Sequence, residues 1–208
     1  MFELRAWLQM QLLWDADRDP ATLIQQFVAG FYGPIAAPHI SAHIKAWEDA
    51  ISKGASTINR TTWSGYFVSC NKDVPGLEPG SCYDHRWVSI EAVVRSAVAL
   101  STAVAELGLE SANAEYMRRT QRVQLGSWWI VLMRWEEACT FATEVGLRWP
   151  LAPRMNDSLA SWETAMVRSG VVFHGGSCPD KSPQGVCWNA STYLGQNTTG
   201  RVCQEGSR

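Results

Sequence analysis

Residues 2–47, FELRAWLQMQLLWDADRDPATLIQQFVAGFYGPIAAPHISAHIKAW, decide the fold. Phe2, Ala6, Trp7, Met10, Leu13 and Trp14 recur at steps of three and four, the spacing of one helical face, so the first segment reads as a helix that buries that face. Asp19 is then placed to cap a second helix, with Pro20 in its first turn, where a missing N–H costs nothing. Leu23, Ile24, Phe27, Val28 and Phe31 supply its apolar side. Gly30 to Gly33 mark its end, and Pro34 opens a third helix with Ile35, Ile40, Ile44 and Trp47 as core positions. Three helices therefore fill the first fifty residues.

Further along, residues 52–84 lose all periodicity in Gly, Ser, Thr, Asn, Pro and Cys, which predicts a long surface loop inserted in the helical domain, with Cys70 and Cys82 close enough to form a local disulfide. Ser89 caps a helix through Ile90, Val93, Val94, Ala97, Val98, Leu100 and Leu107, and Gly108 is placed to end it in the left-handed conformation. A longer helix is expected from about Glu110 to Val145, where Val123, Leu125, Trp128, Leu132, Trp135, Cys139 and Ala142 keep helical spacing and Gly146 stops it. The last helix, roughly Ser158 to Ser169, buries Leu159, Trp162, Ala165 and Met166. The reading is a mainly α protein: a bundle of about six helices over residues 1–172, followed by an irregular, disulfide-pinned, cysteine-rich tail over 173–208.

Composition narrows the class. Apolar residues make up 46% and charged residues 18% of the 208, which excludes a disordered polyampholyte. A net charge of −2 with both signs interspersed offers no basic stripe, so nucleic acid is set aside as a partner. No apolar run is long enough to span a bilayer, and the amphipathic N-terminus lacks the pattern of a secretory leader. Yet Cys70, Cys82, Cys178, Cys187 and Cys203 lie in segments of loop composition, and Asn-x-Ser/Thr sequons begin at Asn59, Asn156, Asn189 and Asn197. Together they predict an oxidising, glycosylating compartment, hence a secreted or extracellular protein whose leader lies outside these residues.

The motifs that could carry chemistry are sparse. Asp15, Asp17 and Asp19 imitate a calcium loop, but Pro20 and Gln26 stand where Gly and Glu are required, so helix capping is the better reading. His39 and His43 share a helical face without a third ligand, which reads as a solvated surface rather than a zinc site. Glu136 and Glu137 are adjacent on a helix, diverge by about 100° and cannot flank one bond as an acid and base do. His174-Gly-Gly-Ser177 has no nucleophile turn to serve. No pattern predicts a metal or any other cofactor. Most of the eleven tryptophans sit on core stripes. Trp63 and Trp188, in loop segments, are the two placed to stack on a sugar ring.

The run Glu3 to Asp19, with Leu23-Ile24, Phe27 and Phe31-Tyr32-Gly33-Pro34-Ile-Ala-Ala37, resembles a recurrent stretch of a secreted glycoside-hydrolase-like family catalogued as domain of unknown function 4838, itself distantly similar to α-glucuronidases. The resemblance covers residues 3–50, and Arg119 to Trp135 shares only the pattern of the family's second long helix. It implies a catalytic barrel that precedes this segment and holds the catalytic carboxylates. The matched residues take structural roles: Trp14 as core, Asp19 as cap, Tyr32 as packing, Gly33 and Pro34 as helix stop and start. No catalytic residue transfers to this chain.

The expected function is therefore that of a non-catalytic C-terminal helical region, packing against the catalytic barrel of the same parent protein and offering a surface for a homodimer or for a polysaccharide. On that reading the first helix should expose an apolar face when its partner is absent. The alternative is a free-standing carbohydrate-binding or cell-surface interaction module that works through Trp63 and Trp188.

Overall fold

The computed structural model describes residues 2–52, 89–109, 111–169 and 201–203. Six α-helices account for most of them: α1 (Phe2–Trp14), α2 (Pro20–Ser52), α3 (Ile90–Leu107), α4 (Ala114–Met133), α5 (Trp135–Glu144) and α6 (Met155–Arg168), with a 3-10 turn at Ser111–Asn113 ahead of α4. No strand occurs among the described residues, where one isolated antiparallel bridge joins Arg154 to Val202. The chain is a mainly α bundle, as its periodicity predicts.

Local chemistry sets the helix boundaries. Asp19 accepts hydrogen bonds from the backbone N–H of Thr22 at 2.8 Å and of Ala21 at 3.3 Å, satisfying donors that the first turn of α2 cannot pair internally. A bond from the Thr22 hydroxyl above all, together with these two, holds the Asp19 carboxyl below its usual range. At Gly33 the backbone leaves helical geometry (φ 84°, ψ 162°), so α2 is two arms, 20–32 and 34–52, joined by a kink. Ser89 caps α3 by accepting from the N–H of Ala92 at 3.3 Å. Gly108, expected in the left-handed region, is instead right-handed (φ −69°), because its N–H still completes a helical bond to Val104 before the chain enters the 3-10 turn.

Two apolar clusters make the core. One contains Phe27, Val28, Tyr32, Ala36 and Ile40 of α2 with Leu100, Ala103 and Leu107 of α3, and Leu4 and Trp7 of α1 pack against it. The other contains Val93, Val94 and Ala97 of α3, Leu125 and Trp129 to Leu132 of α4, Trp135 of α5, and Met155, Leu159 and Trp162 of α6. Helix α3 contributes to both, and Tyr116, Met117 and Val123 of α4 pack against the first, so α3 and α4 form the spine. Four tryptophans fill the second cluster: Trp129 lies 5.0 Å from Trp162, and Trp135 stands edge-on to Trp149 at 5.0 Å. The Trp162 indole N–H donates to the Leu125 carbonyl at 2.9 Å, which satisfies its polar edge inside the core.

Two expectations are corrected. The single helix over Glu110–Val145 is broken at Arg134, whose backbone (φ −112°, ψ 38°) ends α4; its guanidinium pairs with Glu137 and fixes the entry to α5. Cys139, read as an ordinary core position, forms a disulfide with Cys203 across 64 residues of sequence. The tail thus returns to the bundle: Cys203 donates its N–H to Pro153 at 2.8 Å, and Met155 donates to Arg201 at 3.1 Å.

Candidate functional site

Helix α1 follows its expected face only in part. Trp7 packs on Phe27 at 5.5 Å and, with Leu4, docks the helix on the first core cluster. Past that contact Leu8, Gln11 and Leu12 stay partly covered, but the opposite face does not. Met10 is 70%, Leu13 88% and Trp14 92% exposed, so the assignment of Trp14 to the core is wrong. The reason is geometric. Trp14 is the last residue of α1, and Asp15 to Asp19 turn the chain away before any described element can cover it. Three large apolar side chains near one helix end form the most conspicuous uncovered surface of the described residues.

The rest of that region is rigidly built. At the kink, a Cβ on residue 33 would lie 2.6 Å from the Tyr116 ring, so glycine is needed for both its positive φ and the space. Arg119 of α4 reinforces the arrangement from the other side: its guanidinium donates to the Phe31 carbonyl at 2.8 Å and sits 4.3 Å above the Phe31 ring. Tyr32 is buried as packing, and Pro34 begins the second arm on the exposed side.

The His39/His43 pair is not a solvated face. His39 Nε2 lies 2.9 Å from Glu106 of α3. His43 is half-buried, and its Nδ1 meets the Ser96 hydroxyl, which in turn bonds the Ser127 hydroxyl of α4 at 2.9 Å. Burial drives the His43 imidazole down to about 4, so it is neutral at physiological pH. The pair fastens the second arm of α2 to α3 and α4. Sequence spacing showed that the two rings share a face but not that another helix lies on it.

Glu115, Glu136 and Glu137 each face arginine. Glu136 approaches Arg201 at 3.6 Å and Glu137 pairs with Arg134, both from exposed positions. Glu115 lies between Arg118 (2.7 Å) and Arg119 (2.9 Å), and the hydrogen bonds from Arg118 above all hold its carboxyl down to about 2. Asp19 is lowered as well. A general acid needs the opposite displacement. No group of three or more His, Cys, Asp or Glu side chains among the described residues could hold a metal ion. Among the described residues, shallow grooves include one of about 510 Å3 between α4 and α6, lined by Gln121, Ser161, Thr164 and Arg168, and one of about 580 Å3 beside the disulfide, lined by Thr140, Thr143, Glu144 and Arg201. Neither gathers convergent polar groups in an enclosed apolar site.

The segment that carries the uncovered helix is also the one with known kin. Residues 1–45 match the model of a domain of unknown function, DUF4838. The match spans α1, the capping turn and α2 as far as residue 45, well under half of the 208 residues. Within the matched residues lie Asp19, Tyr32, Gly33 and Pro34, which form the cap, the packing and the kink described above. No curated protein and no solved structure matches the chain. Asn156 is exposed in the first turn of α6. Trp63, Trp188, Cys70, Cys82, Cys178, Cys187, Asn59, Asn189, Asn197 and His174 to Ser177 lie outside the described residues. No helix among the described residues is long and apolar enough to cross a membrane.

Proposed function

We propose that this chain is a non-catalytic helical region of a secreted, glycoside-hydrolase-like, carbohydrate-active protein, and that α1 docks it against the catalytic barrel of that protein. One observation carries the reading: within residues 1–45, Met10, Leu13 and Trp14 stand uncovered while Leu23, Phe27, Val28, Tyr32, Ala36 and Ile40 are buried in the chain's own bundle. Fully covering such side chains contributes about 1.5–3 kcal/mol each towards a docked interface, against the cost of ordering it. Lowered carboxyls and arginine-paired glutamates support a scaffolding role over hydrolysis. The disulfide supports an oxidising location.

The test is made on the purified chain alone. It should bind a hydrophobic dye or self-associate, and a Leu13→Asp/Trp14→Asp variant should abolish both while keeping its helical circular dichroism. It should not turn over a panel of aryl glycosides and glucuronic-acid-bearing xylans. A dye-silent, monomeric protein, or one that hydrolyses a glycoside at an ordinary enzymatic rate, removes the reading. Retention on a polysaccharide that is lost in Trp63→Ala or Trp188→Ala would replace it with a free-standing carbohydrate-binding module.

A further inference from the structure

Three features meet at the start of α6. First, the sequon Asn156-Asp157-Ser158 occupies its first turn, with Asn156 exposed and Ser158 only 2% exposed. Second, the Ser158 hydroxyl donates to the Ala152 carbonyl at 3.0 Å, inside the fold. Third, the helix has no side-chain cap at Arg154. The tail closes this end instead: Met155 N–H is taken by the Arg201 carbonyl at 3.1 Å, Pro153 accepts from Cys203, and Arg154 bridges Val202.

These contacts impose an order. The oligosaccharide-transferring enzyme of the secretory pathway takes its sequon extended and reads the hydroxyl two residues after the asparagine, so a helical sequon with that hydroxyl buried is closed to it. Residues 201–203, which complete the α6 N-terminus, are synthesised more than forty residues after the sequon, and Cys139 cannot find Cys203 before then. Until that moment residues 153–155 lack the three backbone contacts that the tail supplies, and an uncapped first turn is the part of a helix that opens most readily.

We infer that Asn156 is an N-linked glycosylation site, modified before the tail closes over the start of α6, and that the finished fold presents the glycan outward. In the reaction Asn156 Nδ2 forms a bond to C1 of an oligosaccharide carried on a lipid pyrophosphate. The C1–O bond to the pyrophosphate breaks, the lipid pyrophosphate departs with the bonding electron pair, and the amide loses one proton to a basic group of the enzyme. No oxidant or reductant enters. The inference rests on the secretory location proposed above and is independent of what α1 contacts. Because α6 belongs to the second core cluster and α1 packs on the first, a glycan here is compatible with docking through α1.

The full chain, secreted from a eukaryotic host behind a cleavable leader, is treated with peptide N-glycosidase in heavy-oxygen water and digested with trypsin. The peptide beginning at Met155 should carry the isotopic mark of conversion to aspartate at position 156, and Asn156→Gln should remove it while leaving the unfolding midpoint unchanged. An unmarked Asn156 in the secreted, disulfide-bonded protein overturns the site, whatever the dye and oligomer measurements on α1 return. For the order of events, unglycosylated chain is offered to the transferase with a lipid-linked donor. The folded, oxidised protein should be modified at least about tenfold less than the same protein reduced and unfolded, because only opened molecules can present the sequon. Equal modification of the two overturns the ordering.

Discussion

Gly33 and Tyr116 occupy a place where neither can be changed freely. Gly33→Ala introduces a side chain at φ 84° and drives its Cβ to within 2.6 Å of the Tyr116 ring. That region of positive φ and extended ψ, open essentially to glycine alone, costs a side-chain-bearing residue about 1–3 kcal/mol, and the ring must move in addition. Urea unfolding should show a loss of at least that size, recovered in part by Tyr116→Ala in the same chain. His43 gives the second residue-scale expectation. Its imidazole titrates at about 4 in the folded protein, below the value of about 6.5 for a free histidine. The folded state therefore binds fewer protons than the unfolded one between those values. The contribution is present above pH 6.5 and is lost as the pH falls towards 4, by up to about 3 kcal/mol. Unfolding midpoints measured across that window should slope downward with acidity, and His43→Gln should flatten the slope. Glycine and proline announced the kink in the sequence, because each restricts the backbone by itself. The buried histidine was hidden, since two polar rings on one face look alike whether water or another helix lies against them.

At the scale of elements, α1 separates what is packed from what is available. Leu13→Asp and Trp14→Asp alter side chains that are 88% and 92% exposed, so equilibrium unfolding should change by no more than about 0.5 kcal/mol for each. Trp7→Ala, which strips the contact of this half-buried ring with Phe27, should cost about 1.5–3 kcal/mol, and melting curves of the two classes will separate accordingly. Periodicity identified α1 as a helix but assigned its outer end to the core, because spacing reports a shared face and not whether a partner reaches it. The break at Arg134 was illegible for a different reason. It has neither glycine nor proline, and the ion pair with Glu137 that marks it involves residues equally at home in a continuous helix. The six-helix class was legible because the apolar stripes of α3, α4 and α6 are long and regular.

For the whole molecule, the Cys139–Cys203 bond ties the last described residues to α5. Closing a loop with a sequence separation of 64 restricts the unfolded chain by about 4 kcal/mol in the chain-entropy picture. Cys203→Ser, or reduction of the wild-type protein, should therefore lower stability by about 2–4 kcal/mol, read as a shift in the guanidinium midpoint. Composition placed Cys203 in a loop-like tail, but a bond partner inside a helix could not be chosen from spacing. Pairing across so much chain is decided by how α5, α6 and the tail meet, which is a tertiary fact.

That covalent ring has a practical corollary. Every peptide bond between residues 140 and 202 lies inside it, so a protease that cuts there once leaves the two pieces joined through sulfur. A nicked sample should run as one band on a non-reducing gel and as two after thiol treatment, and its α6 should remain seated although the backbone on one side has been severed.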